Sequence, residues 1–240
     1  MIKNTTNMLV RVCALAAAMH STTSYAAQPS HPADQEGWYG SIAIGRVFRP
    51  DSTDTRVDLG GVSLSGETTF GNGTSGALAI GRQIWTEDRD KPAEFNLWRI
   101  EGELWSASLA RRAFNVGVMS APLADDMRVT GLFLNALTRV YETENTRWWL
   151  GGGIGWAQVK LPDATGTDAL CGCLAAAKGS GAAFRVKGRV ERFLSEKSAV
   201  FLELGYTGLP DASIGTGALP KTTYDRPHVL DLLLGLRMKF

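Results

Sequence analysis

The stretch "RPHVLDLLLGLRMKF", Arg226 to Phe240, closes the sequence. Taken by parity, Leu230, Leu232, Leu234, Leu236, Met238 and Phe240 fall on one face, and Asp231, Gly235, Arg237 and Lys239 on the other. Val229 and Leu233 are the apolar exceptions. A period of two is the mark of a strand lying between two unlike environments.

The same two-faced pattern recurs upstream. "WYGSIAIGRVF" opposes Trp38, Ile42, Ile44 and Phe48 to Tyr39, Ser41, Ala43 and Gly45, and "SGALAIGRQIW" opposes Leu78, Ile80 and Ile84 to Ala77, Ala79, Gly81 and Gln83. "LWRIEGELWS" sets Trp98, Ile100 and Leu104 against Arg99, Glu101, Glu103 and Trp105, and "VTGLFLNALTRVY" sets Leu132, Leu134 and Ala136 against Phe133, Asn135, Leu137 and Arg139. "WWLGGGIGWAQV", "AFRVKGRVERF" and "AVFLELGYT" continue the theme, the first with a row of glycines, the second with Arg185, Lys187, Arg189 and Glu191 on one side. With the terminal segment this makes eight strands, an even number. Short polar connections such as "ETENT" and "LSEKS" alternate with loops of roughly twenty residues rich in Gly, Asp, Ser, Thr and Pro, the pattern of an antiparallel up-and-down transmembrane β-barrel.

The N-terminal end agrees with export. Met1–Ala26 carries Lys3 and Arg11, a short apolar run from Val12 to Met19, and a small-residue close at Ser24-Tyr25-Ala26, which reads as a cleaved signal peptide too short to span a bilayer. Residues 27–36 read as a short periplasmic leader and 37–240 as the barrel. Of 25 basic and 24 acidic residues, removal of Lys3 and Arg11 leaves 23 against 24, no electrostatic footprint for nucleic acid. No apolar run downstream is long enough for a spanning helix, and only helices or closed barrels satisfy every backbone group in lipid.

Two orientations fit an eight-stranded barrel. A soluble ligand-binding barrel turns its apolar face inward, but then several tryptophans would crowd the interior and glycine and alanine would face water. With bulky residues toward lipid, Trp and Tyr at strand ends form interfacial girdles and the small and charged residues share a narrow lumen. By parity that lumen holds Arg99, Glu101, Glu103, Arg139, Arg185, Lys187, Arg189, Glu191, Glu203, Asp231, Arg237 and Lys239. Charges so enclosed are tolerable only when paired and hydrogen-bonded, so a closed network acting as a plug is expected, with a polar conduit as the alternative.

On "GWYGSIAIGRVF", "RIEGELWS", "WWLGGGIGWA", "FLELGYT" and "LLLGLRMKF", the chain resembles the small OmpA/OmpX-type outer-membrane β-barrels, including the surface-antigen barrels of Gram-negative bacteria. The resemblance implies an outer-membrane location and a structural or surface-interaction role through four long extracellular loops: envelope integrity, adhesion or host interaction. It implies Leu236, Met238 and Phe240 as the signal engaged by the barrel-assembly machinery. Implied partners are outer-membrane lipid, lipopolysaccharide and a host or surface ligand at the loops, with the barrel a monomer. No periplasmic domain is expected after the last strand, so peptidoglycan binding does not carry over with the resemblance.

Other readings are weighed on their residues. Cys171 and Cys173 would form one small strained disulfide in an oxidising compartment; neither a metal site nor a cofactor is expected. Asn72-Gly73-Thr74 reads as a plain turn. Arg46 and Arg82 fall on the lipid face, placed to snorkel to headgroups or to be turned inward by a bulge. A lipid A-modifying enzyme is the third alternative, behind the display protein and the narrow pore. His31 and His228 are the only histidines after the signal peptide, and "HVLD" lacks the His-x-Ser-Asn pattern of the lipid A deacylases. The chain is therefore not expected to be an enzyme.

Overall fold

The computed structural model of the chain describes residues 36–48, 53–58, 63–85, 97–116, 119–122, 125–162, 177–213, 221–224 and 227–240. The expected signal peptide, most of the leader, His31, and Cys171 and Cys173 lie outside them. The described residues form strands β1 (Gly37–Phe48), β2 (Thr53–Asp58), β3 (Ser63–Trp85), β4 (Leu97–Val116), β5 (Met119–Pro122), β6 (Asp126–Glu142), β7 (Thr146–Leu161), β8 (Ala177–Phe193), β9 (Ser198–Gly208), β10 (Ala212–Ser213), β11 (Lys221–Tyr224) and β12 (His228–Lys239).

Eight long strands make the wall. Each pairs antiparallel with the next in the ring β1–β3–β4–β6–β7–β8–β9–β12, and β12 pairs back onto β1 from Tyr39↔Lys239 to Phe48↔Leu230, so no edge is left open. Followed from Trp38 through Arg82, Ile100, Ala136, Gly152, Val186, Tyr206 and Leu230, the pairing returns to β1 at Phe48, about ten residues further along, a stagger that goes with strongly tilted strands.

The two faces separate as the alternation requires. Over its first twelve residues β6 alternates strictly between exposed and buried side chains, and β12 nearly so. Ile42, Ile44, Leu78, Ile80, Leu132, Leu134, Ile154 and Leu234 are between 52% and 75% exposed, which in water would be a liability and in lipid is the anchoring surface. Trp38, Tyr141, Trp148 and Phe240 are exposed where the short connections lie. Toward the other end, Phe184, Tyr206 and His228 stack outward in sequence, their ring centroids 6.1 and 5.7 Å apart. These are two aromatic belts flanking the apolar band.

Two expectations need correction. The long connections are in part strand: β2 pairs with Ser63–Thr68 of β3, β5 with Ala113–Val116 of β4, and β11 with β2, so the wall continues as hairpins past the segments whose alternation is obvious. Serine, threonine and glycine suggest a loop, yet threonine suits a strand and pairing uses only the backbone. Asn72-Gly73-Thr74 is no turn but part of β3, where the register against β4 slips between Phe70 and Gly73. An ideal Cβ on Gly73 would lie 1.7 Å from the Ser108 carbonyl oxygen, so only glycine fits that slip. Arg46 and Arg82 are on the outer face; no bulge turns them in.

Candidate functional site

The inward rows of β4, β8, β9 and β12 bring their charges to one place. Glu101 and Glu103 project from β4, Arg185, Lys187, Arg189 and Glu191 from β8, Glu203 from β9, and Asp231 and Arg237 from β12; with Arg99 all are buried to within 2%. Lys187 Nζ lies 2.8 Å from Glu101 Oε2 and 3.6 Å from Glu203 Oε2, and also bonds Glu103. Arg189 forks between two carboxylates, with Nη1 2.8 Å from Glu101 Oε1 and Nη2 2.7 Å from Glu203 Oε2.

Around this centre stand two flanking groups. On one side Arg185 Nη2 is 3.0 Å from Asp231 Oδ2, its Nη1 donates to Thr207 Oγ1 at 2.7 Å, and its Nε stands 3.0 Å from Glu103 Oε1. On the other, Arg99 Nη1 meets Glu191 Oε1 at 2.5 Å, its Nε and Nη2 donate to Gln83 Oε1, and its guanidinium stacks 3.6 Å from the Trp149 ring centroid. Arg237 is held more loosely, 3.4 Å from Glu191 Oε2, and Lys239 is only half-buried at the short-connection rim. Arg139 pairs with Glu142, which also takes Arg147.

Neutral side chains complete the network. Tyr39 donates its hydroxyl to Glu101 Oε1 at 2.9 Å, Asn135 donates to Glu103 Oε2 at 3.1 Å, and Trp105 Nε1 donates to Asp231 Oδ2 at 2.6 Å. Of these, the sequence marks Trp105, Tyr39, Gln83 and Asn135 as inward by parity without assigning them partners; Arg111 and Arg147 it does not mark at all. Glycine makes the room. An ideal Cβ on Gly205 would stand 2.2 Å from Asp231 Oδ1 and 2.6 Å from Arg185 Nη2, inside the ion pair.

Above the charges, toward the long connections, the interior changes character. Val47, Ala107, Leu109, Met127, Val129, Phe133, Ala157, Val159, Leu161, Leu209 and Val229 form one buried apolar cluster, with Trp105 at its floor in edge-on contact with Phe133 at 6.4 Å. Trp105 thus joins the two layers, apolar ring to one side and indole N–H to the other. Ala107, Leu109, Met127, Leu161 and Leu209 lie beyond the segments quoted above, while Val47, Val129, Phe133, Ala157, Val159 and Val229 lie within them; the signal available was the continued alternation at Ala107–Leu109 and Val159–Leu161. Arg111, buried beyond the cluster, forms a bidentate pair with Asp125 and donates to the Pro162 carbonyl at 2.6 Å, tying β4 to the connections before β6 and after β7.

No family model matches the chain, and no curated protein does. Among solved structures it is similar to the outer membrane protein AlkL in lipid bilayers, with 18% identity over 92% of this chain and 97% of that one and a TM-score of 0.51. Two further similarities are Neisserial surface protein A (13% identity, 86% and 99% covered, TM-score 0.46) and Ail, the attachment invasion locus protein of Yersinia pestis (16%, 86% and 100%, TM-score 0.40). The closed antiparallel ring, outward apolar band and polar-to-apolar filled interior define the class: the chain has the fold of a small outer-membrane β-barrel.

Proposed function

We infer that this is a surface-displayed barrel of the outer membrane, exported with residues 1–26 removed, kin to the OmpA/OmpX-type surface antigens, and acting through its long-connection end rather than through its interior. The observation that carries this reading is the filled lumen. Paired charges and, in series with them, an apolar cluster occupy the space in which a solute or a catalytic centre would have to sit. What remains for interaction is the outer end, where hairpins extend the wall and present the chain to the medium. Attachment through the exposed end is the activity this geometry supports here.

The experiment is excision of residues 163–176 with a Gly-Asn-Gly turn put in their place. Leu161 pairs with Ala177, so a short turn suffices to rejoin β7 and β8 and the barrel is expected to fold. Cells displaying the wild type are expected to adhere to host-cell or matrix surfaces, and cells displaying the excised form to lose that adhesion at equal surface abundance. Adhesion by neither form, with both detected at the surface, overturns the attachment reading.

A further inference from the structure

Three cations stand side by side on the outer wall. Arg128 of β6 is the register partner of Lys160 of β7, and Lys160 is the partner of Lys178 of β8. All three are exposed, and all lie on the outward face, since their neighbours in sequence, Met127, Val129, Val159, Leu161 and Gly179, are buried. Directly opposed side chains on adjacent strands have Cβ atoms about 4.5–5.5 Å apart, and like charges so placed repel. Among the described residues, acids near the row are Asp126, two residues along on the same face of β6, which accepts from Ser108 Oγ at 3.4 Å, and the exposed Asp211, two residues before Ser213, the β10 register partner of Lys178. Among the described residues none of the three cations forms an ion pair. Three positive charges in a row, none of them in an ion pair among the described residues, are an incomplete set.

The rows beneath say what completes it. Two residues down each strand the same face carries Thr130, Gln158 and Ser180, hydroxyls and an amide; two further down it carries Leu132, Trp156 and Ala182, in register with the apolar band. The outer wall therefore passes from apolar to neutral polar to cationic over about 13 Å of strand, roughly 10 Å along the membrane normal at the ~40° tilt of such barrels. A soluble anion would use the cations and leave this continuity unexplained. A lipid uses all of it: acyl chains on Leu132 and Trp156, sugar or glycerol oxygens on the hydroxyl row, phosphate on the cations. The depth exceeds that of a simple phospholipid headgroup and suits a phosphorylated sugar.

We propose that Arg128, Lys160 and Lys178 form a binding site for the phosphate groups of a phosphorylated outer-leaflet glycolipid, held against one side of the barrel wall. The site rests on the reading of the barrel as an outer-membrane protein. Charge-assisted bonds from three donors hold the phosphates, and their neutralisation turns a repulsive row into a cohesive one that ties β6, β7 and β8 together at their outer ends.

The test compares the wild type with Arg128→Gln/Lys160→Gln/Lys178→Gln, both refolded into phosphatidylcholine nanodiscs with and without bisphosphorylated lipid A. Failure of both proteins to insert, seen as full protease sensitivity, strikes the membrane reading itself. With both inserted, the stability order is expected to cross over. In phosphatidylcholine alone the glutamine variant should unfold no sooner than the wild type, because repulsion is relieved. With lipid A the wild type should gain thermal stability and the variant should not. Retention of lipid A through purification should fall about tenfold or more in the variant, and dephosphorylated lipid A should give the wild type no gain. Equal stabilisation of both proteins by lipid A overturns the proposal, as does tight binding of the soluble polyanion sucrose octasulfate with no response to lipid A.

Discussion

Arg189 and Arg237 are both buried guanidiniums in one network, yet they are held differently. Arg189 contacts Glu101 and Glu203 at 2.7–2.8 Å and lies over the Phe201 ring, whereas Arg237 has one ion pair at 3.4 Å and no hydrogen-bond partner for Nη1 among the described residues. Removing one member of a well-made buried pair strands its partner's charge, at about 3–5 kcal/mol; replacing a poorly compensated buried charge by an apolar group is often neutral or favourable. Arg189→Leu is therefore expected to lower the urea midpoint of the refolded barrel sharply, and Arg237→Leu to leave it unchanged or raise it. Equal losses for the two would show that pairing geometry does not govern the interior. The residues of this network were legible in the sequence because parity alone assigns a side, but their partners were not. Glu101 meets Lys187 across the lumen, eighty-six positions away, and only the closure and stagger of the ring decide which opposing rows meet.

At the scale of the strand, glycine and the terminal aromatic set the limits. An ideal Cβ on Gly153 would lie 2.1 Å from the Leu134 carbonyl oxygen of β6, and backbone oxygen cannot yield as a flexible side-chain end can. Gly153→Ala is expected to force β6 and β7 apart and to give a barrel that fails to reach its heat-resistant, compact electrophoretic form, while Gly188→Ala, whose Cβ would meet nothing nearer than 4.0 Å, leaves that form intact. Phe240 lies 75% exposed on the lipid face, and its N–H donates to the Trp38 carbonyl at 3.1 Å across the closing seam. Its deletion is expected to leave protein in the periplasm, sensitive to protease; normal surface display of the truncated chain would remove Phe240 from the assembly signal. The eight wall strands could be read from alternation because lipid and lumen impose opposite demands on successive residues. Their outer thirds could not. Beyond the bilayer both sides of a hairpin meet water, alternation fades, and the Thr- and Ser-rich β2 and upper β3 look like loop.

For the molecule as a whole, the interior is sealed twice by unlike physics. The charged layer excludes a water column because its large side chains fill the space and most of their charges are engaged with one another, and the apolar layer excludes it because water entering among Leu109, Val129, Val159 and Val229 would forfeit its hydrogen bonds. Ions would have to cross both layers in series, so the less permeable one sets the current. The purified monomer in planar bilayers is accordingly expected to show no steady conductance. Lys187→Ala with Arg189→Ala, which loosens only the charged layer, should leave the current near baseline provided the barrel still folds, because the apolar layer above is untouched. A steady, ion-selective current from wild-type monomers, shifted toward cations by Arg189→Glu, would mean that the charges line a water path and would replace the display protein with a narrow channel. A current absent in the wild type but opened by the double alanine substitution alone would instead identify the charged layer as the sole seal and reduce the apolar cluster to packing.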